Sequence, residues 1–121
     1  MDITSVVLSK YSDYKDKIIS NIEKAKSKSL DKIIKDTEPY VPYKTGSLSN
    51  SVVKNVATST ISYTAPHASF AFEPIAPSGK PKEYNQSVHT KAQGYPIQAA
   101  YNEHSQEWAE FFAKELLDGV E

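Results

Sequence analysis

The chain contains no cysteine and no arginine. Without cysteine there is no disulfide, no thiolate metal site and no cysteine nucleophile. All fourteen cationic side chains are lysine. The bidentate fork usually chosen for phosphate clamps, guanine readout and buried carboxylate pairing is therefore missing. No apolar run approaches the ~18 residues of a helical membrane span, so no membrane partner is expected. The formal charge of −1 leaves no global pull toward nucleic acid. Only 39% of the 121 residues are hydrophobic, which implies one small core helped by partner subunits. The length matches a single domain, 1–121.

What is present is strongly patterned. Residues 4–36 read as one long helix: Val7, Tyr11, Tyr14, Ile18, Ile22, Ala25 and Ile33 recur at helical spacing, with no proline or glycine among them. Such a helix would be about 50 Å long, too long for so small a core, so part of it should project. Glu38-Pro39 ends it. Lys10, Lys17, Lys24, Lys28 and Lys35 form a stripe beside the apolar face. Asp13 and Asp31 stand four residues before Lys17 and Lys35, the favourable order for pairing. The stripe reads as a solvated face or as a basic edge for an acidic partner.

Residues 39–51 form a proline-stiffened connector in which Thr45 can cap a short turn and Gly46 relaxes the backbone. A strand meander is expected over 52–73, from Val52–Ala57, Ile61–Thr64 and Ala68–Glu73, with a fourth strand candidate at 87–91. Residues 74–86 read as a long proline-rich loop, whose Ser78-Gly79-Lys80 lacks the other parts of a phosphate loop. Loops of this length in small domains usually dock or move. Residues 97–118 form a second amphipathic helix. Ile97, Tyr101, His104, Trp108, Phe111 and Phe112 share its apolar face, and Glu103, Glu107, Glu110 and Asp118 lie on another. The expected class is α+β, two helices on a small, mainly antiparallel sheet of three to four strands. Charge is divided: ten Lys against seven acids before residue 55 (+3), four against eight after it (−4).

Catalytic patterns are lacking. No nucleophile elbow appears. His67, His89 and His104 show no local metal spacing; a zinc site would need all three with Glu73, and an alternative reading as a small metal-dependent hydrolase would use His67, His89 and Glu73. Tyr11 and Tyr14 interleave with lysines but fall on the buried stripe, which argues against base stacking.

The segment from Pro42 to Ser51 (Pro-Tyr-Lys-Thr-Gly-Ser-Leu-Ser-Asn-Ser) resembles the Pro-x-x-Thr-Gly-x-Leu-x-x-Ser signature of tailed-phage (siphophage) minor capsid, neck and tail-completion proteins. Its matching positions are Pro42, Thr45, Gly46, Leu48 and Ser51. Tyr63 to Phe72 is similar to the aromatic strand of that family, and Trp108 to the anchor of its last helix. Lys44, Ser47 and Glu73-Pro74 depart from the usual acid, arginine and glycine. The resemblance implies a non-enzymatic virion protein without cofactor. It implies a ring, hexameric or dodecameric, at the head–tail junction, assembled in the host cytoplasm. Neighbours would be head-closure or connector and tail-tube or terminator proteins, with DNA only passing through the channel. A tail terminator capping the tube is the alternative within the class. Lys10, Lys17, Lys24, Lys28, Lys35, Glu103, Glu107, Glu110 and Ser78-Gly79-Lys80 are the candidate interface residues.

Overall fold

The computed structural model describes residues 3–43 and 46–120, and the side chains of all of these but 6–11. The architecture is α+β. Helix α1 (Ile3–Thr37) runs without a break into a 3-10 turn (Glu38–Tyr40), followed by the short helix α2 (Ser47–Asn50). Strands β1 (Val52–Asn55) and β2 (Thr60–Tyr63), helix α3 (Ala68–Phe72) and helix α4 (Pro96–Leu116) complete it. The sheet has two strands, paired antiparallel from Val52↔Tyr63 to Asn55↔Thr60, rather than the three or four expected.

Both missing strands have physical explanations. The Ala68–Phe72 segment alternates Phe70 and Phe72 like a strand, yet it coils. In a helix Ala68, Ala71 and Phe72 fall at i, i+3 and i+4 and meet the core together, and Phe70 turns outward at 60% exposure. Five residues are too few for the two periods to be told apart. Residues 87–91 adopt turns. Lys91 N–H donates to Pro39 O (3.1 Å) and, just past the segment, Gln93 N–H to Tyr40 O (3.0 Å), so this stretch is tied to the 3-10 turn rather than to the sheet.

α1 and α4 pack antiparallel. Asn21 Nδ2 donates to the carbonyls of Leu116 and Asp118 at 2.9 and 2.8 Å, which places the end of α4 opposite the middle of α1. Farther along, Lys28 meets Glu115 (3.3 Å), Lys32 meets Glu107 (2.7 Å) and Trp108 Nε1 donates to Asp36 Oδ2 (2.8 Å). Ala25 and Ala100 are fully buried. The N-terminal part of α1 has no α4 beside it. Residues 12–17 are all exposed, and residues 3–16 alone extend about 21 Å at the helical rise. Tyr14, expected in the core, is 37% exposed for this reason, and Ile3 and Ile19 are more so. The Val7, Lys10 and Tyr11 side chains lie outside the described residues. Asp31 also departs from expectation: it pairs with Lys54 of β1 at 2.8 Å and not with Lys35.

Val41, Leu48 and Ala68 form the buried cluster at the other end, with Tyr63, Ala65, Ala71 and Phe72 packed around it. Tyr63 stands edge-on to Phe72 with ring centroids 5.2 Å apart. Its hydroxyl is buried without a partner. Burial, followed by the Glu38 charge, pushes the phenol up to about 12. The folded value is raised above the ordinary 10, so its stabilising effect is complete below pH 10 and is lost as pH rises through about 12. Tyr63→Phe is therefore expected to hold or gain up to about 1 kcal/mol at neutral pH, because an unpaired buried hydroxyl is removed. It should also flatten the alkaline decline. Urea midpoints measured from neutral to strongly alkaline pH check both; an unchanged alkaline slope contradicts the assignment.

Candidate functional site

The two segments singled out in the sequence, the Pro42–Ser51 connector and the long loop, meet on one surface. Between them lies a groove of about 710 Å³. Tyr43, Leu48, Phe70 and Tyr84 supply its apolar and aromatic lining, and Lys82 and Glu83 are its charged residues.

The connector wall is held by hydrogen bonds that no local pattern announces. Val41 is extended (φ −74°, ψ 130°) after the 3-10 turn. His89, 9% exposed, places Nδ1 2.7 Å from Val41 O and Nε2 3.3 Å from Glu38 Oε1, and Tyr43 packs edge-on against the ring at 4.9 Å. Gly46 caps α2 with φ +83°, a left-handed conformation, and Ser51 Oγ donates back to Leu48 O at 2.7 Å. Lys44 and Thr45, including the proposed Thr45 cap, lie outside the described residues.

Gly46→Val is expected to cost about 2 kcal/mol, since a β-branched residue resists positive φ. A Cβ there would also lie 3.4 Å from Tyr43 Cε2. Ser49→Ala should stay within about 0.5 kcal/mol, because the Ser49 hydroxyl is buried with no partner to lose. Equal midpoints for the two variants in denaturant titrations would mean that the connector is an ordinary turn.

The loop wall is also ordered. Ile75 and Pro81 form a bridge; Ala76 N–H donates to Lys80 O and Gly79 N–H to Ala76 O, both at 2.8 Å, with Gly79 at φ +84°. Tyr84 hydroxyl lies 3.1 and 3.2 Å from the carbonyls of Ala71 and Glu73, at the C-terminal end of α3. Burial, then the Glu73 charge, raises that phenol. Tyr95 hydroxyl donates to Glu73 Oε2 at 3.0 Å, and this bond raises its own titration. Lys82 Nζ donates to Phe70 O and sits 3.8 Å above the Phe70 ring.

The acidic face of α4 is largely engaged inside the chain. Glu103 accepts from Lys91 Nζ (2.8 Å), and Glu110 from Gln106 Nε2 (3.1 Å). Glu107 accepts from Lys32, whose hydrogen bond, with that of His104 second, holds the carboxyl below the usual range; Lys32 is raised by the same bond. Of the lysine stripe, Lys28 is paired with Glu115, whereas Lys17, Lys24 and Lys35 are exposed.

The proposed zinc set does not assemble. His89 is committed to Val41 and Glu38, and His104 stacks on Trp108 (6.0 Å, 14°) with Nδ1 3.2 Å from Glu107. Glu73 is bonded to Tyr95. Among the described residues the ligand atoms that converge are those of Asp36, His104 and Glu107, within 4.8 Å of one another. Lys32 Nζ already bridges the two carboxylates there, at 3.2 and 2.7 Å. An ammonium in that position neutralises the cluster and competes with a metal ion, so the group reads as a brace between α1 and α4. Among the described residues the arrangement offers shape, aromatic surface and paired charges.

A protein-family model described as minor capsid protein matches residues 6–116. No match was found among the curated proteins or among the solved structures.

Proposed function

We propose that this chain, which belongs to the minor capsid protein family, is a ring-forming component of the phage neck that joins head to tail. Family membership makes it a structural protein of the phage virion; the place in the neck and the ring are our reading. The observation that carries it is the projecting α1. About 21 Å of helix extends past the subunit's own packing, with Ile3, Tyr14 and Ile19 exposed on or beside it. Exposed apolar residues along an otherwise unsupported helix call for a neighbour. Repeated copies meeting through two different surfaces close into a ring when the rotation between them permits. The exposed Lys17, Lys24 and Lys35 of α1 would help to set the register of adjacent copies by meeting acidic groups of the neighbour.

A reconstruction of the head–tail junction tests this. Density for the chain between the head and the tail tube, repeated around the DNA channel, is expected. Phage lacking the protein should accumulate separate heads and tails. Density capping the tube alone would replace the reading with a tail terminator, and properly joined particles without the protein would end it.

A further inference from the structure

The tip of the long loop, residues 75–81, and the groove are complementary to each other, yet within one chain the tip does not enter the groove that the rest of the loop helps to line. None of residues 75–81 lines the groove. Residues Pro77 to Pro81 are all exposed, and Ile75 at the base of the tip is 46% exposed. The Ile75–Pro81 bridge and the Lys82 N–H to Pro74 O bond (2.9 Å) close the tip on itself.

We propose that the groove receives the proline-rich tip of a second copy of this chain, with Pro77 and Pro81 on the Tyr43, Phe70 and Tyr84 rings and Lys80 against Glu83. The inference rests on the multi-copy reading above and names the surface through which copies meet.

Three features favour this occupant. The first is chemistry: proline-rich segments dock in aromatic-lined grooves, because a stiff apolar ring packs on an aromatic face at little entropic cost. The chain carries the sequence Pro74-Ile75-Ala76-Pro77-Ser78-Gly79-Lys80-Pro81. The second is order. Backbone hydrogen bonds at 2.8 Å already hold the tip, so docking need not freeze a flexible loop. The third is charge. Lys82 is spent on the Phe70 carbonyl and ring. Exposed Glu83 has no cation partner among the described residues, and exposed Lys80 has no acid partner among them. One uncompensated anion at the groove and one uncompensated cation on the tip match across two copies. Each copy then donates one tip and accepts another.

Sedimentation of the full-length chain over a concentration series tests the contact. Lys80→Glu and Glu83→Lys should each weaken self-association by about tenfold, since each places like charges together. The double variant Lys80→Glu/Glu83→Lys should return to within about twofold of wild type. A wild type that stays monomeric throughout, single variants that associate normally, or a double variant as weak as the singles would each overturn the proposal. So would association that survives all three and is lost on deleting residues 3–16, which would seat the neighbour's α1 there instead. Because the chain has no cysteine, a second measurement is available. Mixed Lys80→Cys and Glu83→Cys chains treated with a bis-maleimide spanning about 10 Å should form the mixed crosslink in preference to either like pair, since the two long side chains of an ion pair hold their Cα atoms farther apart than a disulfide can span; like pairs alone contradict the contact. If the chain is found at the head–tail junction but the charge exchange has no effect, the neck reading stands and this inference falls.

Discussion

Replacing Gly94 with alanine is expected to destabilise the fold by about 3 kcal/mol, the largest effect among the glycine-to-alanine changes. An ideal Cβ at Gly94 would lie 2.7 Å from Pro74 Cβ, 2.9 Å from Phe72 O and 3.0 Å from Pro74 Cα. Backbone and a proline ring cannot swing aside as the end of a lysine can. Relief would require separating the end of α3 from the start of α4, where Tyr95 N–H donates to Phe72 O at 2.9 Å. Gly79→Ala is the control. Its φ of +84° strains any Cβ-bearing residue, but nothing stands within 4 Å of the added atom, so the cost should be about 1 kcal/mol. Chemical denaturation of the two variants measures the difference. Equal losses would show that the Gly94 contact relaxes freely.

Trp108→Ala should cost about 3 kcal/mol, at the low end for a large aromatic truncation because the ring is only half-buried. The indole does two things at once: it stacks on His104 and donates from Nε1 to Asp36 Oδ2. Trp108→Phe separates them, keeping an aromatic ring while losing the donor. A cost of about 1 kcal/mol is expected for it, as Asp36 keeps Lys32 at 3.2 Å. A Trp108→Phe variant as unstable as Trp108→Ala would assign the whole effect to the hydrogen bond.

The long elements were legible because their patterns repeat many times. α1, with its apolar spacing and terminal Glu38-Pro39, and α4, with its aromatic face, each sample several helical turns, so one deviant residue changes nothing. The projection of α1 also followed from length alone. Short elements carried no such redundancy: Phe70 and Phe72 alternate like a strand in a segment that is a helix. His89 was the least legible residue of the site. Its role depends on Val41 O and Glu38, 48 and 51 positions away, and no local spacing encodes so distant a partner. Gly94 was equally silent, because its constraint is the proximity of Pro74 and not a positive φ.

The amino-acid order by itself determined which chemistries are missing, where the two helices run, and which two segments are unusual. Those properties depend on residue type and on contacts within a few positions, where spacing and covalent geometry act directly. Only the tertiary structure decided that the connector and the proline-rich loop share one groove, that Lys32 fills the Asp36 and Glu107 cluster, and that Tyr14 faces outward. Each of these depends on where distant parts of the chain come to rest, and that is settled by packing over the whole molecule.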